Sequence, residues 1–228
     1  MKRGQISAEY LIVLIATLLI ALTAAQYIIS FTHKEVKPSE QVQEYTIQRY
    51  RTLLVTDNLD TAYLLTTQYP SLYVTVMSSS KFLNNVHTVQ DYDVVYVLEV
   101  NPHDKQKFSK SVRDLIEQGF KVIVDSSALT TDDYRDLFGG TYGSKDTLSG
   151  TYRVYSERGC GYICTYLPKS ITLRSLSVVR STCIDPLYRV GTYVMSCRYM
   201  NSYYISYDAS SMLDESSTVK KLLILYLG

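Results

Sequence analysis

An α/β fold, with a parallel βαβ core and additional antiparallel strands behind a hydrophobic N-terminal helix, is what this sequence predicts. Three features predict it. "DVVYVLEV" (Asp93–Val100) and "FKVIVDSS" (Phe120–Ser127) are near-continuous apolar runs flanking a helical pattern, as strands buried on both faces require. The stretch from Tyr142 to about Asp208 consists of short Tyr/Val/Ile runs broken by turns, the pattern of antiparallel strands. At the start, "LIVLIATLLIALTAA" (Leu11–Ala25) carries no charge, and apolar character continues to Phe31. About 20 such residues suffice to span a bilayer.

Taken from the N-terminus, the first element poses a problem, because Glu9 sits at the head of this lipid-like run. A carboxylate there costs on the order of 3 kcal/mol at the membrane centre, so it calls for a purpose. Three readings compete. A secretory signal explains "KR" and the small residues near Ala25, but not the glutamate. A simple anchor with Lys2 and Arg3 held inside leaves Glu9 snorkelling to the interface. The third is a short basic leader ending in Gly4 and cut before Gln5, with the apolar helix retained.

"RGQISAEYLIVL" resembles the class III signal of archaeal type IV pilin-like proteins, with Gln5, Ser7, Glu9, Tyr10 and Leu11 at the typed positions. The resemblance covers only about the first 30 residues, the length of such a segment. It implies cleavage between Gly4 and Gln5 by a prepilin peptidase, and assembly with other pilin-like subunits through the apolar helix. The freed amine of Gln5 then pairs with Glu9 of a neighbour where water is excluded, setting axial register. The implied location is the cell membrane with the remaining domain outside, or a surface filament.

The predicted layout is a leader at 1–4, an assembly helix at 5–31, a linker and second helix at 32–68, and an α/β domain at 69–228. Pro38 interrupts the first helix and Ser39 caps the second, expected to run to about Gln68. Leu72–Met77 reads as a strand. After Val100, "NPHD" opens a helix with Asn101 as N-cap, Pro102 in the first turn and Asp104 favourable to the dipole. Phe108, Val112, Leu115 and Ile116 share one face, and Gly119 ends the helix. The flanking strands are therefore expected to be parallel, joined by a right-handed crossover. "TTDDYRDLFGG" is a short capped helix with a glycine stop, and "STVKKLLILYLG" a closing amphipathic helix.

Composition is that of a globular protein: net charge is +1, and neither a Lys/Arg cluster nor an aromatic ladder suggests nucleic acid as a partner. Tyrosine is abundant at 22 residues, which suits strands and an adhesive surface. Cys160, Cys164, Cys183 and Cys197 all lie late in the chain, and an outward-facing domain predicts two disulfides in one of three connectivities. A zinc site is disfavoured because "CGYIC" has C-x3-C spacing and His33, His87 and His103 are all upstream. No metal or cofactor is expected.

The strands "YDVVYVLEV" and "GFKVIVDSS" with the later "YYISYDASS" look similar to glutamine-amidotransferase-like domains over perhaps half the chain. That family's Gly-x-Cys-x-Gly elbow and later His-x-Glu pair are absent, so the resemblance implies a shared fold that has lost the chemistry. The best catalytic cluster is Glu99, Asn101, His103, Asp125, Ser126 and Ser127, at the carboxyl ends of the parallel strands. Their plainer roles are helix capping and turn formation, and no motif links them, so no catalytic residue is assigned. The expected function is a pilin-like surface protein, with a minor or accessory subunit favoured over a major one. The alternative is a solitary membrane-anchored domain that binds a ligand or protein without catalysis.

Overall fold

Nine strands form one mixed sheet in the order β2-β1-β3-β4-β9-β8-β7-β5-β6 in a computed structural model, which describes residues 50–227. The parallel part comprises β1 (Arg51–Val55), β2 (Tyr73–Met77), β3 (Val94–Val97) and β4 (Val122–Val124). The antiparallel part comprises β5 (Tyr142–Ser156), β6 (Ser170–Ser181), β7 (Pro186–Val190), β8 (Tyr193–Tyr199) and β9 (Ser202–Ile205). β9 joins the two, pairing parallel with β4 and antiparallel with β8.

The central strands are apolar throughout because both faces are covered. Leu53, Val55, Val95, Val97, Val122 and Val124 face one core with Phe82 of α2 (Ser79–Asn84), Phe108, Val112 and Ile116 of α3 (Lys105–Glu117), and Tyr134 and Phe138 of α4 (Thr131–Phe138). Leu54, Val94, Tyr96 and Ile123 face the other core with Leu64 and Leu65 of α1 (Leu59–Gln68), and with Leu222, Leu223 and Tyr226 near the C-terminus. The Tyr96 hydroxyl donates to the Leu223 carbonyl (2.9 Å), giving a fully buried phenol its polar partner. This segregation follows from topology. The strand order reverses direction after β2, so right-handed crossovers place α1 on one face and α2 and α3 on the other.

The expected βαβ unit is present, but α3 starts later than "NPHD" suggests. Its N-cap is Asp104, whose Oδ1 accepts from the Lys107 N–H (2.9 Å), and Asn101 lies in the loop before it. The expected helix reaching Gln68 is a helix only from Leu59; Arg51–Val55 is the strand β1, and residues 39–49 lie outside those described. Burial on both faces explains the difference, since "TLLV" is a run that period 3.6 does not need. The closing helix is one α turn, α5 (Ser217–Lys220), that tightens into 3-10 geometry over Lys221–Leu227.

Both disulfides form, as Cys160–Cys164 and Cys183–Cys197. The second closes a loop of 14 residues, and chain entropy assigns such a loop about 3 kcal/mol, against about 2 for the four-residue separation of the first. Alkylation of the native chain before reduction is expected to label no cysteine. Cys183→Ser is expected to lower stability more than Cys160→Ser; four free thiols in native protein, or the reverse order, would contradict these pairings.

Among the described residues no helix is long and apolar enough to cross a membrane. The segment 5–31 on which that expectation rests, with Gly4, Gln5 and Glu9, lies outside the described residues.

Candidate functional site

In an open α/β sheet the ligand crevice forms at the carboxyl ends of the strands where the order reverses, here between β1 and β3. Asp57 follows β1, Glu99 and Asn101 follow β3, and Asp125, Ser126 and Ser127 follow β4. The carboxylates converge there, but they bind the protein itself. Asp125 is 3% exposed and takes three donors: the Glu99 N–H at Oδ2 (2.8 Å), and the Ser127 N–H (3.0 Å) and hydroxyl (2.5 Å) at Oδ1. The Ser127 hydroxyl oxygen in turn accepts from the Val100 N–H (2.9 Å). Asp57 accepts from the Ser79 N–H (3.0 Å) and the Asn101 N–H (2.7 Å), tying the ends of β1, β2 and β3 together.

Glu99 is the keystone of the cluster. Its backbone sits at φ +51°, a left-handed conformation that costs a non-glycine residue on the order of 1 kcal/mol. That turn aims its carboxylate at the Thr61 hydroxyl on α1 and at Ser210, whose N–H (3.2 Å) and hydroxyl (2.5 Å) both donate to it. Burial pushes the Glu99 carboxyl up to about 7, with the charges of Asp125 and Asp208 acting in the same direction and the Ser210 hydrogen bonds opposing. Burial likewise raises Asp125 to about 6, against the bonds from Ser127 and Glu99. At Asp57 burial also acts upward, but the bonds from Ser79 and Asn101 outweigh it and hold the carboxyl below its ordinary value. Asp208 is paired with Lys145.

The structure thus brings together Glu99, Asn101, Asp125 and Ser127 of the expected cluster, Asn101 through its backbone alone. His103 is exposed and reaches the cluster only through its charge beside Asp57, and Ser126 joins none of these hydrogen bonds. Asp57, Thr61, Ser79 and Ser210 are not among the residues that the sequence singles out. "TLLVTD" holds the signal for Asp57, since an acid directly after a buried strand lands at the strand's carboxyl end. Among the described residues no group of three His, Cys, Asp or Glu side chains is placed to hold a metal ion.

Elsewhere a groove of about 580 Å³ is lined by Tyr50, Tyr162, Tyr166, Lys221, Leu222 and Leu225 among others. Tyr162 and Tyr166 are 59% and 57% exposed, with their hydroxyls 2.6 Å apart, on the 3-10 segment Gly161–Tyr166 that begins inside the Cys160–Cys164 disulfide loop.

No protein-family model matches the chain, and no curated protein is similar to it in sequence. Solved structures are similar in fold. A ThuA-like protein from Bacteroides uniformis superposes with a TM-score of 0.58 at 14% identity, over 78% of this chain and 90% of that one. PurLQS from Thermotoga maritima gives 0.55 at 11% identity, over 78% and 98%. A GMP synthase component from Thermoplasma acidophilum gives 0.53 at 11%, over 79% and 94%. These identities speak for architecture alone: the described domain resembles glutamine-amidotransferase-like folds such as these. They also correct the functional expectation. The pilin-like function is withdrawn, because these structural neighbours are a ThuA-like protein, PurLQS and a GMP synthase component. The described residues lend the membrane-surface location and the anchored alternative no support: none of their helices is long and apolar enough to cross a membrane, and segment 5–31 lies outside them.

Proposed function

We propose that the described domain is a non-catalytic binding domain built on the amidotransferase-like sheet. One observation carries this reading: the crevice between β1 and β3, where such a sheet takes its ligand, is bridged by the protein's own bonds. Asp57 spans it to the Asn101 N–H at 2.7 Å, and Glu99 spans it to Thr61. A general base or nucleophile needs a lone pair directed at substrate. Here Asp125 has both oxygens engaged by three internal donors, and Glu99 is engaged by Thr61 and Ser210. All four cysteines are in disulfides, so none is free to act as a thiolate. The exposed tyrosines of the groove beside Cys160–Cys164 offer a partner an open, largely apolar surface.

The full chain is expected to release no ammonia from glutamine and to hydrolyse no simple ester or amide above the uncatalysed rate. Turnover that is lost in both Asp125→Ala and His103→Ala, with Gly119→Ala as a control remote from these side chains, would overturn the reading.

A further inference from the structure

The two edges of the nine-stranded sheet are treated differently. The outer edge of β6 is occupied by the segment after β9. Val179 donates to Ser206 (2.6 Å), Asp208 to Ser177 (2.9 Å), and the Arg174 and Ser175 N–H groups to the buried Glu215 carboxylate at 2.8–3.0 Å. β6 also carries Arg174 and Arg180, charges of the kind that discourage edge pairing. At the other end, β2 pairs with β1 on one side and with no other described strand.

Backbone directions in β2 are set by its ladder. The Tyr73 N–H donates to the Tyr50 carbonyl (3.2 Å) and the Met77 carbonyl accepts from the Thr56 N–H (3.0 Å), so Tyr73, Thr75 and Met77 turn their backbone groups toward β1. By the period of two, Val74 and Val76 turn theirs outward. Two-fold antiparallel pairing centred on Thr75 sets Val74 against Val76 of a second copy and Val76 against its Val74. Both are then hydrogen-bonded pairs, and Thr75 faces itself in the closer, non-bonded pair. Four hydrogen bonds form with every outward donor and acceptor of the two valines used.

Charge agrees with an isologous contact, which sets side chains near their own copies. The run Thr61–Ser80 contains no charged residue, in a chain that is 20% charged. On that run and beside it, Leu59, Tyr63 and Val76 are 85%, 58% and 42% exposed. The geometry points to β2 as a homodimer edge, continuing the sheet antiparallel into a second copy of this chain. A five-residue edge with these few side chains lies at the small end of specific interfaces, so the dimer is expected to be concentration-dependent.

Mild oxidation of the full chain carrying Thr75→Cys tests the register. At high protein concentration it is expected to give a disulfide-linked dimer, since the new thiols face each other across the two-fold. Tyr73→Cys serves as the control: its two copies are offset by four residues, roughly 13 Å, and should stay unlinked. Val76→Pro removes an outward N–H without touching the β1 ladder, so it should melt as wild type does. Its monomer–dimer midpoint in sedimentation should rise roughly tenfold or more, because two of the four bonds go. Equal linkage of the two cysteine variants would overturn the proposal, as would a Val76→Pro chain that dimerises like wild type. Slow amide exchange at Val74 and Val76 in dilute monomer would also overturn it, because another segment would then hold the edge.

Discussion

Asp125→Ala is expected to lower the thermal midpoint by roughly 10 °C, equivalent to about 3 kcal/mol in a chain of this size. The loss comes from donors left behind. With the carboxylate gone, the N–H groups of Glu99 and Ser127 lie at a buried site without acceptors, at about 1–3 kcal/mol each. Relief of a desolvated charge offsets part of that cost, which is why the figure is not larger.

The pH dependence identifies the cause. Folding raises Asp125 from an ordinary 3.8 to about 6 and Glu99 from 4.5 to about 7. The folded chain therefore binds these protons more tightly than the unfolded chain does. Stability from this source is fully present below the ordinary values and is lost as pH rises through about 6 and about 7. The variant lacks the Asp125 share, and its Glu99 no longer has that charge beside it, so the gap from wild type should be wider near pH 5 than near pH 8. Melting curves across this range check both statements. A gap that widens toward high pH, or a midpoint unchanged at all pH values, would show that Asp125 does not hold the loop as described.

How much of the fold is legible in the sequence follows the periodicity of each segment. β3, α3, β4 and α4 are readable because apolar runs of strand length alternate with helical faces and end at Gly119 and Gly139. β1 is hidden because "TLLV" abuts Leu59 and Ala62, whose spacing continues a plausible helical stripe across the Asp57–Asn58 break. That break is the better signal, since Asn58 is the N-cap of α1 and accepts from the Asp60 N–H (2.9 Å). The cluster at the strand ends is half legible. Glu99, Asp125 and Ser127 follow recognisable strands, whereas Ser210 lies 111 residues beyond Glu99, and only tertiary structure relates the two. The apolar N-terminal run lies outside the described residues, and a signal-like motif spanning about 30 residues carries no information about the chemistry of the domain that follows it.

Gly140→Ala is expected to have the largest effect of any single methyl added to this domain, above about 4 kcal/mol, with little folded protein recovered. The sequence reads "FGG" as a helix stop, but its two glycines serve different ends. Gly139 supplies the left-handed φ of +66° at the C-cap of α4, and its N–H returns to the Arg135 carbonyl. At Gly140 space is what matters: an added Cβ would lie 1.7 Å from the Thr182 carbonyl oxygen, 2.4 Å from its carbon and 2.9 Å from the Cys183 Cα. All three are backbone atoms, so no rotamer change relieves the overlap. The strand must move instead, and it is held on several sides. The Thr182 carbonyl accepts from the Tyr134 hydroxyl (2.8 Å), the Thr182 N–H donates to Thr141 (2.9 Å), and Cys183 is fixed by its disulfide to Cys197. Gly119→Ala is the comparison that isolates space from conformation. Its φ of +89° is strained for alanine, yet nothing lies within 4 Å of the new Cβ, so its cost should stay near about 1–2 kcal/mol. Circular-dichroism melts of both variants, with alkylation of Cys183 and Cys197 before reduction, measure the difference. The Gly140→Ala chain should show those two thiols partly free, and a melt within about 1 kcal/mol of wild type would mean that β6 and the end of α4 do not approach as closely as described.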